Sequence, residues 1–497
     1  MRRILALLLA ALLLLTALPF AGAAFTDQGS FKVAAYAKAV DKMVEKGILS
    51  GFPDGSFRPE QTLTRAQAAK ILCVMLEGGE KANALTQKET GFTDVPATHW
   101  AAKFIAYCAE KGIVAGIGGD KFDPEGTLSS AAFAKMLLVA YGEDGTKFTG
   151  ADWVTKVQTA AEPTFLTFQL KIELSDAPVQ RQESAQLAFN AMFQAEAKAD
   201  KEKGDPRTLP EGLPETVKLL VIGNSFGNDC SLNFLYQLLQ SVGVKNVTIG
   251  TLYYSGCPYE KHVNFALLDQ PVYTFHKNKD GNSAALNDYT FDKALADEDW
   301  THIIMLHGWV GHPAYFGPCP WQDILLYYVR RTHPDAYCGY VMTWSLRSDG
   351  KHTESHQETL KKYHDGDVVK MYEGLVETTK TYAEPEQRFK YIIPAGTAVL
   401  NARSSFVGNG VHRDNMSHLN KGIGRYIAAM TVCCTLTGCK PDQIDYLPET
   451  ILDEMPEGLS KDTPGILEKL GEVARESVAN ALAKPYEVTQ SKFTTAP

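Results

Sequence analysis

At 497 residues with a formal net charge of −9, the chain is long enough for two or three domains and carries no basic footprint, which argues against nucleic acid as a partner. Nine cysteines, at 73, 108, 230, 257, 319, 338, 433, 434 and 439, match neither a dense disulfide framework nor a zinc ribbon. Most therefore read as small buried hydrophobes, and the pairing of Cys433, Cys434 and Cys439 stays open.

The chain opens with Met1-Arg2-Arg3, an apolar run from Ile4 to Leu18 and the small residues Ala21-Gly22-Ala23. These three parts predict a secretory signal peptide over residues 1–23, cleaved after Ala23 or Ala24. No other apolar run approaches the roughly twenty residues of a membrane span.

An internal repeat follows. Phe57-Arg-Pro-Glu-Gln-Thr-Leu-Thr-Arg-Ala66 matches Phe122-Asp-Pro-Glu-Gly-Thr-Leu-Ser-Ser-Ala131, and Glu45-Lys-Gly-Ile48 matches Glu110-Lys-Gly-Ile113, all at an offset of 65 residues. Each copy reads as helix, glycine- and aspartate-rich turn, helix, a unit too small to bury its own apolar face. A third, worn copy is expected from about Trp153 to Met192, with Val179-Gln-Arg-Gln-Glu183 in the place of Leu63-Thr-Arg-Ala-Gln67.

The openers Phe25-Thr-Asp27 and Phe92-Thr-Asp94, with Gly51-Phe-Pro-Asp-Gly-Ser-Phe-Arg-Pro59 and Leu63-Thr-Arg-Ala66, resemble S-layer homology (SLH) repeats of bacterial surface proteins. The resemblance implies an all-α region over 25–195 (copies at about 25–80, 92–145 and 150–195) that binds secondary polysaccharide of a Gram-positive-type cell wall. Arg65, Arg181, Asp54, Asp94 and Trp100 are the wall-polymer candidates, since a guanidinium fork pairs bidentately with anionic groups.

From 196 to 215 the composition turns charged and proline-rich, predicting a linker. Beyond it apolar runs at Lys218–Ile222, Val247–Tyr254, Thr301–Leu306, Ala336–Thr343 and Tyr391–Ala395 alternate with helical spacing, which predicts a parallel sheet covered on both faces. A tail helix is expected over Ile466 to Leu482.

The first of these strands ends in Ile222-Gly-Asn-Ser-Phe-Gly227, with a helix expected over Ser231 to Gln240. Ser225 is thereby presented at the carboxyl end of a strand, where open α/β sheets place their ligands. Far along the chain, Arg413-Asp414-Asn415-Met416-Ser417-His418 precedes an apolar helix from Ile423 to Leu436. An acid and an imidazole there can supply a base and its orienting group to a serine nucleophile. The bland alternative is a glycine-rich turn or phosphate loop.

With Tyr254-Ser-Gly-Cys257, His262, Glu298-Asp-Trp300, Ile393-Pro-Ala-Gly-Thr-Ala398 and Gly424-Arg-Tyr426, residues 216–494 resemble an SGNH-type (GDSL-like) hydrolase, nearest to a bacterial family of uncharacterised function. The resemblance implies a flavodoxin-like three-layer α/β domain without cofactor, in which Ser225 attacks an ester carbonyl, His418 takes its proton and Asp414 orients the imidazole. The N–H groups of Ser225 and Gly256 would face the oxyanion. The runner-up is a classical α/β-hydrolase, whose serine comes mid-sheet with acid and histidine far apart.

Two departures qualify the pattern. The superfamily's oxyanion asparagine is replaced by Leu306-His307-Gly308-Trp309, so its role is filled otherwise or lost; His307 could donate from its ring, the alternative being a hydrogen-bonded structural histidine. The residue three before the histidine is Asn415, with Asp414 four before. His262, His312, Trp309, Tyr254 and Asn401 are expected in loops along the same sheet edge. His302, His307 and His312 do not have metal-ligand spacing, and no metal is expected. The expected function is a secreted, wall-anchored serine esterase removing an acyl group, such as acetyl, from a carbohydrate; the alternative is a catalytically silent carbohydrate-binding or surface-display protein.

Overall fold

The computed structural model describes residues 25–308, 310–312, 320–350, 352–413 and 417–497. The expected signal peptide, Trp309, Cys319, Asp414 and Asn415 lie outside the described residues. The chain divides into two compact units, Met1–Glu196 and Ala197–Pro497.

The first unit is helical, with main helices at Ala34–Glu45, Arg65–Glu77, Ala102–Glu110, Ser130–Ala140 and Trp153–Ala161 and a long one that begins at Arg181. Thr64 starts the second through a reciprocal capping box with Gln67, and Ser129 caps Ala132 N–H at 3.2 Å. These are the local reasons for helix starts at equivalent points of both copies.

A closed ring of backbone hydrogen bonds joins three segments. Leu63 N–H donates to Val179 O (3.0 Å), Val179 N–H to Leu128 O (2.9 Å), and Leu128 N–H to Leu63 O (2.9 Å). Leu63 and Leu128 are one repeat apart, and Val179 takes the third corner. All three side chains are buried, so the ring is the point where three incomplete apolar faces close on one another.

The stretch expected as a linker from 196 begins as helix, because the long helix spans Arg181–Lys203. Asp200 then bonds Arg388 (3.0 Å) and Arg330 (3.2 Å) within the second unit. A charged composition signals solvent only when the charges lack partners, and Asp200 and Asp205 have arginine partners here.

The second unit is built on a seven-stranded sheet in the order β4-β3-β2-β1-β5-β6-β7. Its strands are β1 (Thr216–Gly223), β2 (Asn246–Tyr253), β3 (Tyr273–Asn278), β4 (Ser283–Tyr289), β5 (His302–Met305), β6 (Tyr337–Val341) and β7 (Phe389–Ile393). The five strands predicted from apolar runs form the parallel part, β2-β1-β5-β6-β7, while β3 and β4 add an antiparallel hairpin at one edge. That hairpin escapes an apolar-run reading because β4 is almost wholly exposed.

Val217, Leu219 and Val221 of β1 pack into one cluster with helices Leu235–Ser241, Ile423–Thr437 and Ile466–Ala483. Leu220 and Ile222, on the opposite face of the pleat, are equally buried. Burial on both faces is what a parallel strand with helical crossovers requires. The single helix expected over 231–240 is two, Ser225–Ser231 and Leu235–Ser241.

Candidate functional site

Three neighbouring strands deliver the loops of the site. β1 runs beside β2 with Gly223 opposite Tyr253, and beside β5 with Ile222 opposite Met305. Ser225, Gly256 and His307 therefore emerge two or three residues beyond the carboxyl ends of adjacent strands. In this order β1 is where successive crossovers change direction, the position at which open α/β sheets form a crevice. Gly223 permits the close approach: a Cβ there would lie 2.6 Å from Leu306 Cγ.

Asn224 starts the helix Ser225–Ser231, its Oδ1 accepting Phe226 N–H at 3.0 Å. Ser225 is the first helical residue and remains partly exposed between buried neighbours. Four residues on, one turn along the same face, lies Asp229, 1% exposed.

Asp229 is the junction of the site. Its Oδ2 lies 3.2 Å from His418 Nδ1 and accepts Leu419 N–H at 2.9 Å. Its Oδ1 lies 2.6 Å from Arg425 Nη2. A carboxylate on Nδ1 selects the tautomer with the proton on Nδ1 and leaves Nε2 as an acceptor. The imidazole is one-third exposed.

The arm carrying His418 is fixed by its backbone. Arg413 N–H donates to His418 O (2.9 Å), Asn420 N–H to Val411 O (2.9 Å), and the buried indole of Trp344, beyond β6, donates to Ser417 O (2.7 Å). Phe226 fills the space between, its ring centroid 4.9 Å from Trp344 and 6.0 Å from His418. The residue after the serine thus touches the histidine's ring.

Asp229 was not among the sequence candidates. The helix expected over Ser231 to Gln240 does not reach Asp229; the four-residue spacing from Ser225 on a helix starting at the serine is the sequence signal for it. Asp414 and Asn415, the residues expected beside His418, fall outside the described residues.

The other candidates separate by burial. His307 is buried, its ring edge-on to Tyr259 at 4.8 Å, and burial pushes its pKa down to about 3, so it is neutral. His262 is not in a loop: it lies on the helix Tyr259–Leu267, fully buried, with Nδ1 2.8 Å from Tyr273 Oη, and burial likewise lowers it to about 3. Asn401 is buried on the helix Ala395–Arg403 and donates to Ser477 O at 3.1 Å. Both are corrections to the loop placement, since apolar helix faces draw these side chains inward. Gly256 is exposed in a turn at φ +59. His312 lies 5.3 Å from the Tyr363 ring and 5.5 Å from that of His364.

In the first unit, the candidate arginines hold carbonyls of neighbouring copies. Arg65 donates to Phe122 O (2.7 Å) and Ala115 O (2.8 Å); Arg181 donates to Phe57 O (3.0 Å) and Ser50 O (3.2 Å). Both acceptor pairs differ by the repeat offset of 65, and each guanidinium also lies over the phenylalanine ring, at 4.4 and 4.5 Å. Ser130, where an arginine would stand in the second copy, makes the corresponding reach with its hydroxyl to Ser175 O at 3.1 Å.

Asp94 accepts the N–H groups of Phe122 (2.8 Å) and Asp123 (2.7 Å), which helps hold its carboxyl below the usual range. Asp27 accepts the N–H groups of Phe57 (2.9 Å) and Arg58 (2.7 Å) in the equivalent turn. Asp54 is tied to Ser56 and Arg58, which holds its carboxyl far below the usual range. Trp100 is 46% exposed.

These features agree with family models. The domain of unknown function DUF4886 matches residues 218–458, and the S-layer homology domain matches residues 24–69 and 91–134. The chain carries S-layer homology domains followed by a DUF4886 domain. A crystal structure of a DUF4886 family protein from Bacteroides uniformis covers 56% of this chain and 100% of its own, at 30% identity and a TM-score of 0.47.

Among curated relatives, Cell surface glycoprotein 1 of Acetivibrio thermocellus is 35% identical over 114 residues, covering 23% of this chain and 5% of its own length. The S-layer protein of Bacillus licheniformis is 36% identical over 118 residues, 23% of this chain and 13% of its own. The Cellulosome-anchoring protein of A. thermocellus is 32% identical over 111 residues, 22% of this chain and 25% of its own. This chain therefore spans a quarter or less of these relatives. Among the described residues no helix is long and apolar enough to cross a membrane, and no cluster of histidine, cysteine and carboxylate side chains has metal-binding geometry.

Proposed function

We propose that the DUF4886 domain is a serine hydrolase of SGNH type, with a flavodoxin-like three-layer fold, that cleaves an acyl ester of a carbohydrate. The observation that carries this reading is the hydrogen bond from His418 Nδ1 to the buried Asp229, on the helix that Ser225 opens. In this reading His418 Nε2 takes the proton as Ser225 Oγ attacks the acyl carbonyl, and Asp229 steadies the imidazolium. The tetrahedral oxyanion faces the N–H groups of Ser225 and Gly256, each such donor worth about 3 kcal/mol. His418 then returns the proton to the departing sugar oxygen, and water, deprotonated by the same imidazole, releases the carboxylic acid and Ser225.

In the same reading the SLH domains tether the enzyme to cell-wall polysaccharide of a Gram-positive-type bacterium, in keeping with the surface proteins that share such domains. Carbohydrate as substrate rests on that location and on the SGNH resemblance. The deciding experiment is hydrolysis of acetyl-to-butyryl esters and acetylated glycans by the purified protein. A second reading, a silent carbohydrate-binding display protein, is favoured by the burial of His307, which turns the expected third oxyanion donor against Tyr259. Glycan binding without turnover would establish it.

A further inference from the structure

The cysteines left open by the sequence meet at the far end of the helix Ile423–Thr437. Gly438 ends it in the left-handed conformation (φ +69), its N–H donating to Cys434 O at 2.9 Å, and this turn folds Cys439 back over the last helical turn. Cys439 Sγ lies 3.5 Å from Cys434 Sγ, against about 2.05 Å in a disulfide, a gap that small side-chain rotations can close. Both line an open groove of about 1020 Å³. Cys434 is almost wholly buried and Cys439 half-buried, so Cys439 is the sulfur a solution reagent meets first. Cys433, next along the helix, is fully buried in the core cluster.

We propose that Cys434 and Cys439 form a redox-active dithiol pair that closes to a disulfide when the protein meets an oxidising low-molecular-weight disulfide. The Cys439 thiolate attacks one sulfur of that reagent, forming a mixed disulfide and expelling one thiolate. Cys434 then gives up its proton and attacks Cys439 Sγ, forming the internal bond and releasing the second thiolate. Two protein thiols are oxidised and one external disulfide is reduced to two thiols, so electrons and protons balance. Hydrogen bonding from Cys433 and Cys434 pulls the Cys439 thiol down while Cys434 is pushed up, which makes Cys439 the attacking sulfur. A surface location, away from the reducing cytosol, supplies the condition in which such a pair persists.

The test is to incubate the full chain with oxidised glutathione, alkylate the remaining thiols and map peptides without reduction. All three cysteines lie between Arg425 and the next trypsin site after Lys440-Pro441, at Lys461, so one peptide reports them. The expected result is that this peptide carries one alkyl group and has lost two hydrogens. Cys433→Ser should keep the bond, whereas Cys434→Ser and, at the half-exposed position, Cys439→Ala should abolish it. Three alkylated thiols in the wild type, a stable glutathione adduct without the internal bond, or a bond that survives in Cys434→Ser would each overturn the proposal.

Discussion

Asp229 and His418, 189 residues apart in sequence, meet at 3.2 Å through Oδ2 and Nδ1, with Asp229 one helical turn from Ser225. One seven-residue helix therefore presents both the serine and the acid that holds the histidine. Loop mobility cannot separate Ser225 from Asp229, because both ride on the same backbone segment.

Asp229→Asn should lower kcat for a short acyl ester by about 10³–10⁴-fold with little change in KM, because asparagine neither fixes the required tautomer nor stabilises the imidazolium. Asp414→Ala should cost less than tenfold. The reverse ranking in steady-state kinetics would return the orienting role to Asp414.

Ser225→Ala and His418→Ala should each remove turnover while leaving thermal unfolding within a degree or two of the wild type, since both side chains are partly exposed. Acetate release from an acetylated glycan measures the first quantity and calorimetry the second. A Ser225→Ala protein that still releases acetate would place the nucleophile elsewhere.

Arg181→Ala should destabilise the SLH region by about 2 kcal/mol, since a buried guanidinium leaves two carbonyls without their charged donor. Arg65→Ala should cost somewhat less, its side chain being partly exposed. Trp100→Ala should leave stability unchanged and reduce co-sedimentation of the full chain with walls that retain secondary polymer. Equal pelleting with stripped walls would remove the anchoring role.

Stability should fall as pH drops below 6.5. Burial lowers His262, His307 and His412 to about 3, so the unfolded chain binds protons at these sites before the folded chain does. Their contribution is fully present above the unfolded value of about 6.5 and is lost as pH falls from there toward 3, up to about 1.4 kcal/mol per pH unit for each proton. Between pH 6.5 and 5 most carboxylates do not yet titrate, so Tm across that interval isolates the histidines. His412→Gln, which can still donate to Ser345 O as His412 does at 3.1 Å, should flatten the slope.

The five parallel strands and the helix after His418 were legible because apolar runs and helical spacing are local. The serine was legible because a strand ending in Gly-Asn-Ser-Phe-Gly is local too. The β3–β4 hairpin was not, because β4 is polar and exposed and carries no burial pattern, while β3 buries isolated aromatics, Tyr273 and Phe275, between polar residues.

By itself the sequence determined the repeat, the α/β alternation and the place of Ser225 just past the carboxyl end of a strand, since each is written in residue types and their spacing. Tertiary structure decided the partners. It set Asp229 on His418 Nδ1, buried His262 and His307, turned Arg65 and Arg181 onto neighbouring backbone carbonyls, and closed the ring of Leu63, Leu128 and Val179. The reason is that a side chain's partner is fixed by where the chain returns in space, and desolvation then forces each buried polar group to find one, whatever its neighbours in sequence suggest.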